Sequence, residues 1–208
     1  MTRFLLVRHA EHDFLTKRVI AGRQLGIHLN SLGRHQAEQL GESLALLPID
    51  AIYCSPLERA CETAAPLARK IKVEPNISEE FNEVDMGAWT NRSLAELEQS
   101  PTWRQWNSFR SGTTPPNGEA MVDVEQRVLR KLSVLREKHQ LVAIFTHADV
   151  IRATLVYFLG MPIDLLLRIE VAPGSVSAIS IGADFVRVDG VNLAPAGIKA
   201  FDHRHRQD

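Results

Sequence analysis

Phe4-Leu5-Leu6-Val7-Arg8-His9-Ala10-Glu11 is an apolar run that stops on an arginine and a histidine. The run reads as a β-strand, and its two polar residues stand where that strand ends. In open α/β sheets the crevice at the carboxyl ends of the strands is the usual ligand site, because helix N-termini and unpaired backbone N–H groups converge there. A cation beside an imidazole at that edge favours phosphate as the ligand.

The pattern recurs. Leu141-Val142-Ala143-Ile144-Phe145 reads as a buried strand followed by Thr146-His147-Ala148-Asp149 and an apolar helix from about Val150 to Leu159. Ala51-Ile52-Tyr53-Cys54 is a third strand, after which Pro56 at a first helical position places Arg59 one turn into a helix, pointing back toward the strand ends. Strands near 3–7, 51–54, 73–75, 141–146, 176–181 and 184–189 alternate with helices, which gives an α/β layer fold. A hairpin turning near Gly182-Ala183-Asp184 forms a sheet edge. Ala37, Leu40, Leu44 and Leu47 fall on one face of a helix, as do Val124, Val128, Leu132 and Leu135, and these stripes read as core.

Composition narrows the possibilities. A chain of 208 residues with 45% hydrophobic and 24% charged residues can bury the core of one domain. The formal net charge of −1 offers no electrostatic basis for nucleic-acid or membrane binding. No apolar run is long enough to span a bilayer, and the run after Met1-Thr2-Arg3 is too short for a signal peptide, so a cytoplasmic protein is expected. Cys54 and Cys61 lack a C-x-x-C spacing and imply no disulfide framework, which fits a reducing compartment. Asp202-His203-Arg204-His205-Arg206 reads as part of a frayed tail over about 200–208.

Several separated motifs, in order, resemble those of the histidine phosphatase superfamily, the phosphoglycerate mutase-like branch (branch 1). They are Arg8-His9-Ala10-Glu11, Ser55-Pro56-Leu57-x-Arg59-Ala60-x-x-Thr63-Ala64, Glu83-x-x-x-Gly87-x-Trp89 and Thr146-His147. Gly33-x-x-Gln36-Ala37 and Pro116-x-Gly118-Glu119 agree as minor motifs, and the match runs from about residue 3 to about 180. The resemblance implies a three-layer α/β/α fold with a mostly parallel central sheet and a helical, lid-like insertion over the active site, at about 84–117. It implies a phosphatase acting on a small phosphomonoester, with His9 as nucleophile and Glu83 as acid and then base. Arg8, Arg59 and His147 would surround the phosphoryl oxygens, with Ala148, Arg23 and Thr16 also on the substrate side. No metal and no cofactor are implied.

The residue types suit that chemistry. A phosphomonoester dianion repels nucleophiles, so its oxygens must be neutralised, an attacking atom supplied and the departing alkoxide protonated. An imidazole of ordinary pKa, about 6.5, keeps a neutral nitrogen available for attack. Guanidinium forks match phosphate oxygens. A carboxyl such as Glu83 needs a raised pKa to act as acid, which burial or a nearby negative charge supplies.

Rival readings leave residues without a role. A metallohydrolase using His9-x-Glu11-His12 and His147-x-Asp149 would waste Arg8 and Arg59 and set cations beside its metal. Cys54-x-x-x-x-Arg59 resembles a cysteine phosphatase loop, but its spacing is one residue short and Pro56 lacks the N–H such a loop uses. A mutase or other phosphotransferase, and a non-catalytic module binding phosphorylated ligands, remain as alternatives. The oligomeric state, monomer or homodimer, is left open.

Departures from the family pattern concern the substrate side. Ala10 replaces a glycine, Leu15 an asparagine with Thr16 next to it, Thr90-Asn91 a Glu-Gly pair, and Ala120 a serine. Trp103, Trp106 and Arg110 can share a helix face, with the tryptophans packed, Arg110 solvated and some member of the group touching substrate. Ala148-Asp149 stands in place of Gly-Gly. The Asp149 carboxylate would either repel a second anionic group in the cavity or cap the helix near Val150, and aspartate's preference for helix starts favours the cap.

Overall fold

The computed structural model describes residues 1–198, so the basic stretch Asp202-His203-Arg204-His205-Arg206 lies outside the described residues. One mixed sheet contains β1 (Thr2–Arg8), β2 (Ala51–Cys54), β3 (Asn76–Ile77), β4 (Leu141–Thr146), β5 (Val176–Ile181) and β6 (Val186–Leu193), in the order β3-β2-β4-β1-β5-β6. From β3 to β1 all pairings are parallel. At the other edge β5 is antiparallel to β1, and β6 to β5.

Alternation along the strands divides the core between two faces. Phe4, Leu6, Val142 and Ile144 pack with α6 (Met121–Leu135) and α7 (Ala148–Phe158) on one side. Leu5, Val7, Ala143 and Phe145 pack on the other with Leu40 and Leu44 of α2 (Ser31–Leu44) and Ala64 and Leu67 of α3 (Glu58–Ile71). Each of the valine, leucine, isoleucine and phenylalanine side chains among these contributes about 1.5–3 kcal/mol on burial. Helices thus cover both faces, the expected α/β architecture.

Element ends differ from the expected ones for local reasons. The third strand begins at Asn76 rather than 73, because Val73 is still tied to the end of α3 through its N–H to the Ala68 carbonyl, 3.3 Å. The hairpin turn consumes residues through Phe185, whose carbonyl accepts from Gly182 N–H, so β6 starts at Val186 rather than 184. Leu57 is the N-cap of α3. Pro56 therefore precedes the helix instead of opening it, and Arg59 sits in the first turn. Asn30 caps α2 by accepting from Gly33 N–H, and Leu47 falls beyond that helix, only half-buried.

Between the sheet and α6 the chain forms α4 (Leu94–Leu97) and α5 (Pro101–Ser108). Trp89, Trp103 and Trp106 pack against one another with ring centroids 5.2–5.5 Å apart, in the same core as α6 and α7. Arg110 follows the end of α5 and is not solvated. It is buried, its guanidinium 3.4 Å from the centre of the Trp106 ring. No helix among the described residues is long and apolar enough to cross a membrane.

Candidate active site

Parallel register brings three strand ends to one edge. Arg8 pairs with Thr146 and Cys54 with Phe145, and the pairing continues one step further through His9 N–H to the Thr146 carbonyl and Ser55 N–H to the Phe145 carbonyl, both 2.9 Å. His9, Ser55 and His147 therefore emerge side by side. The loop after His9 is tied down by Ala10 N–H to Thr63 Oγ1, 3.0 Å, and Glu11 N–H to Gln36 Oε1, 2.9 Å. Gly33 makes that approach possible, since a Cβ there would run into the Glu11 carbonyl.

A cavity of about 160 Å³ opens at this edge, lined by Arg8, His9, His12, Arg59, Glu83, Ala148 and Asp149 together with Leu15, Val19, Ile20, Ala21, Gly22 and Met86. His9 is buried, and its Nδ1 lies 2.9 Å from the Ala10 carbonyl. A carbonyl only accepts, so Nδ1 carries the proton and Nε2 keeps its lone pair. Burial first, then the charges of Arg59 and Arg8, hold the His9 pKa well below the ordinary histidine value. His147 is fully buried and held by its Nε2 against Ser55 Oγ, 2.8 Å, with Nδ1 3.5 Å from both Glu83 Oε2 and Arg59 Nη2. Burial and Arg59 likewise depress its pKa.

Both guanidiniums are anchored at one end. Arg59 donates from Nη2 to the Gly22 carbonyl, 2.7 Å, and Arg8 from Nη1 to the Val171 carbonyl, 2.6 Å. Arg59 Nε and Nη1 and Arg8 Nε are buried with no protein partner, as is His12 Nδ1. Buried donors left unpaired are costly, about 1–3 kcal/mol each, and they concentrate where a ligand completes them. Ala148 opens α7, so the helix start with its N–H groups also faces the cavity, a favourable place for an anion.

Glu83 has its pKa raised to about 7, chiefly by burial and then by the neighbouring Asp149 charge, against the lowering pull of Arg59. Its backbone is held from behind. The Glu83 carbonyl accepts from Arg23 Nε, 2.8 Å, and Arg127 donates to the carbonyls of Glu80, 2.6 Å, and Asn82, 2.8 Å. Glu119 binds both arginines, Arg23 at 2.8 Å and Arg127 at 2.9 Å. Arg127 was not singled out from the sequence; the Gly118-Glu119 motif was its only local sign.

Among the sequence candidates, His9, Arg8, Arg59, Glu83 and Ala148 line the cavity, while His147 is fully buried against Glu83 and Arg59 without lining it. Arg23 and Thr16 do not line it. Arg23 is committed to Glu119 and the Glu83 carbonyl, while Thr16 is exposed, ends α1 (Asp13–Thr16) and bonds Glu11, leaving Leu15 to face inward. No tryptophan lines the cavity either; Met86 is the residue of the 84–117 stretch that does. Asp149 is not a side-chain cap: His147 is the N-cap, and the Asp149 oxygens bind Arg110, 2.7 Å, and Arg152, 2.9 Å. Among the described residues no group of three or more His, Cys, Asp or Glu side chains is placed to hold a metal ion.

Residues 4–194 match the model of the histidine phosphatase superfamily (branch 1), and the chain belongs to that family. It is an enzyme of the phosphomonoester hydrolase class. The chain is 29% identical to the adenosylcobalamin/alpha-ribazole phosphatase of Escherichia coli, over 95% of this chain and 98% of that one. It is 30% identical to phosphoserine phosphatase 1 of Hydrogenobacter thermophilus, over 77% and 78%. The crystal structure of the alpha-ribazole phosphatase from Shigella flexneri superposes with a TM-score of 0.83 at 28% identity, covering 93% of this chain and 97% of that one.

Proposed function

We propose that the protein hydrolyses a small phosphomonoester through a phosphohistidine on His9, with the cationic charge for phosphate coming from Arg8 and Arg59 rather than from a metal. The observation that carries this reading is the pairing of buried, half-satisfied guanidiniums with an imidazole whose tautomer leaves Nε2 free, in one cavity. His9 Nε2 attacks phosphorus, the P–O bond to the alcohol breaks, and the Glu83 carboxyl gives its proton to the leaving oxygen. Water then attacks the phosphohistidine, losing a proton to the Glu83 carboxylate as the N–P bond breaks. His147, oriented by Ser55, and the N–H at Ala148 hold the phosphoryl oxygens in both steps. The stretch 84–117 closes one wall through Met86. The free thiols Cys54 and Cys61 support a cytoplasmic setting.

The test is phosphate release from p-nitrophenyl phosphate and a panel of alkyl monoesters, with and without EDTA, for wild type and His9→Ala. EDTA-resistant turnover with an acid-labile phosphoenzyme that His9→Ala abolishes is the expected result. Turnover lost to EDTA, or phosphoryl transfer to a second substrate hydroxyl in preference to water, would overturn it.

A further inference from the structure

We infer that the alcohol released from the substrate is uncharged and partly apolar, and that Asp149 is the residue that excludes alcohols bearing a second anionic group. This rests on the phosphatase reading and specifies its substrate class.

The two cations lining the cavity, Arg8 and Arg59, are both engaged by the phosphoryl group in that reading. The wall left for the alcohol is apolar, formed by Leu15, Val19, Ile20, Ala21 and Met86, and the remaining acidic side chains on the cavity are Glu83, protonated when substrate binds in that reading, and Asp149, which stays charged. A carboxylate or second phosphate on the alcohol would meet hydrocarbon and the Asp149 carboxylate. Neither surface replaces the water such an anion loses.

Asp149 is fixed in this role by partners that do not line the cavity. Arg110 holds Oδ2 at 2.7 Å and Arg152 holds Oδ1 at 2.9 Å. Between them they keep the Asp149 pKa at about 2, so it is anionic at every working pH. Each arginine is also committed elsewhere: Arg110 to Asn107 Oδ1, 3.0 Å, and to the Trp106 face, Arg152 to the Ile169 carbonyl, 2.8 Å. Neither can swing to a substrate carboxylate without breaking a second contact. At the neighbouring loop, Arg23 is tied to Glu119 and Arg18 faces Glu98. A neutral donor on the alcohol, such as a hydroxyl, suits this wall.

The experiment compares kcat/KM within near-isosteric pairs: glycerol 3-phosphate against 3-phosphoglycerate, and phenyl phosphate against 4-carboxyphenyl phosphate. Wild type is expected to prefer the member without the carboxylate by about tenfold or more, the size of a modest like-charge penalty. Asp149→Asn, which unmasks Arg110 and Arg152, should shrink or reverse that ratio, and Met86→Lys should do the same by adding a cation to the apolar wall. A wild-type ratio near one, or a ratio that neither variant changes, overturns the inference. Calorimetric binding of the same pairs to His9→Ala reads the preference without turnover. An absence of hydrolysis thus defeats the phosphatase reading, while the binding ratio still judges Asp149.

Discussion

His9 and Glu83 reach complementary protonation states by opposite uses of burial. Desolvation disfavours the charged form of each, which favours a neutral imidazole at His9 and a protonated carboxyl at Glu83 up to about pH 7, the states that the proposed nucleophile and acid need. His9→Ala is expected to abolish turnover, and Glu83→Gln to lower kcat by about 10²–10⁴, less for p-nitrophenyl phosphate than for an alkyl ester whose leaving group needs the proton. Because the acid must be protonated, kcat/KM should fall as pH rises through about 7, the Glu83 value. In Asp149→Asn, which removes a charge that raises the Glu83 pKa, that alkaline limb should move to lower pH; an unmoved limb would sink the assignment. Asp149 also contributes to stability. Its pKa, lowered to about 2, stabilises the fold above its ordinary value and the contribution is lost as pH falls through about 2. Urea melts should show Asp149→Asn less stable by about 2 kcal/mol at pH 7, with the gap closing in acid.

At the scale of elements, the loop carrying the acid is positioned by two fastenings. One is the Arg23–Glu119–Arg127 cluster at the carbonyls of Glu80, Asn82 and Glu83. Arg127→Ala leaves Glu119 paired with Arg23 but removes the donors to the Glu80 and Asn82 carbonyls, so it should cost about 1–3 kcal/mol in a denaturant melt and lower kcat more than it raises KM. The other is Gly87, at φ +48°, where a Cβ would collide with the Pro116 carbonyl and the Asn117–Gly118 backbone. Gly87→Ala is expected to cost about 1–3 kcal/mol, and to reduce kcat, because the backbone conformation favours glycine and the two loops can no longer touch. Equal stability of wild type and variant would contradict this packing. The tryptophans of the adjoining stretch act differently, since they pack on the sheet and leave the cavity wall to Met86.

Across the whole molecule, the site depends on one sheet whose parallel centre delivers Arg8-His9, Ser55 and His147 to a common edge. Trp106→Ala, in the core beside that sheet, should cost about 3–5 kcal/mol by thermal or chemical melt. An unchanged melt would contradict its place in the core. The sheet and the residues at its strand ends were legible in the chain because apolar runs, their period and the polar residues that stop them are local patterns. Strand ends shifted where a helix cap or a turn consumed residues, as at Val73 and Phe185. The substrate side was not legible. Arg110 joins Asp149 across 39 positions and Arg23 joins Glu119 across 96, so no local pattern announces either pairing. By itself the sequence determined the α/β fold, the family and the polar residues that stand at the strand ends, because short-range order encodes them. Only the tertiary structure decided that Asp149 forms part of the wall rather than a cap, that Arg23 holds the Glu83 carbonyl and Glu119, and that the tryptophans pack together in the core. Partners distant in the chain compete for each polar group, and burial selects among them.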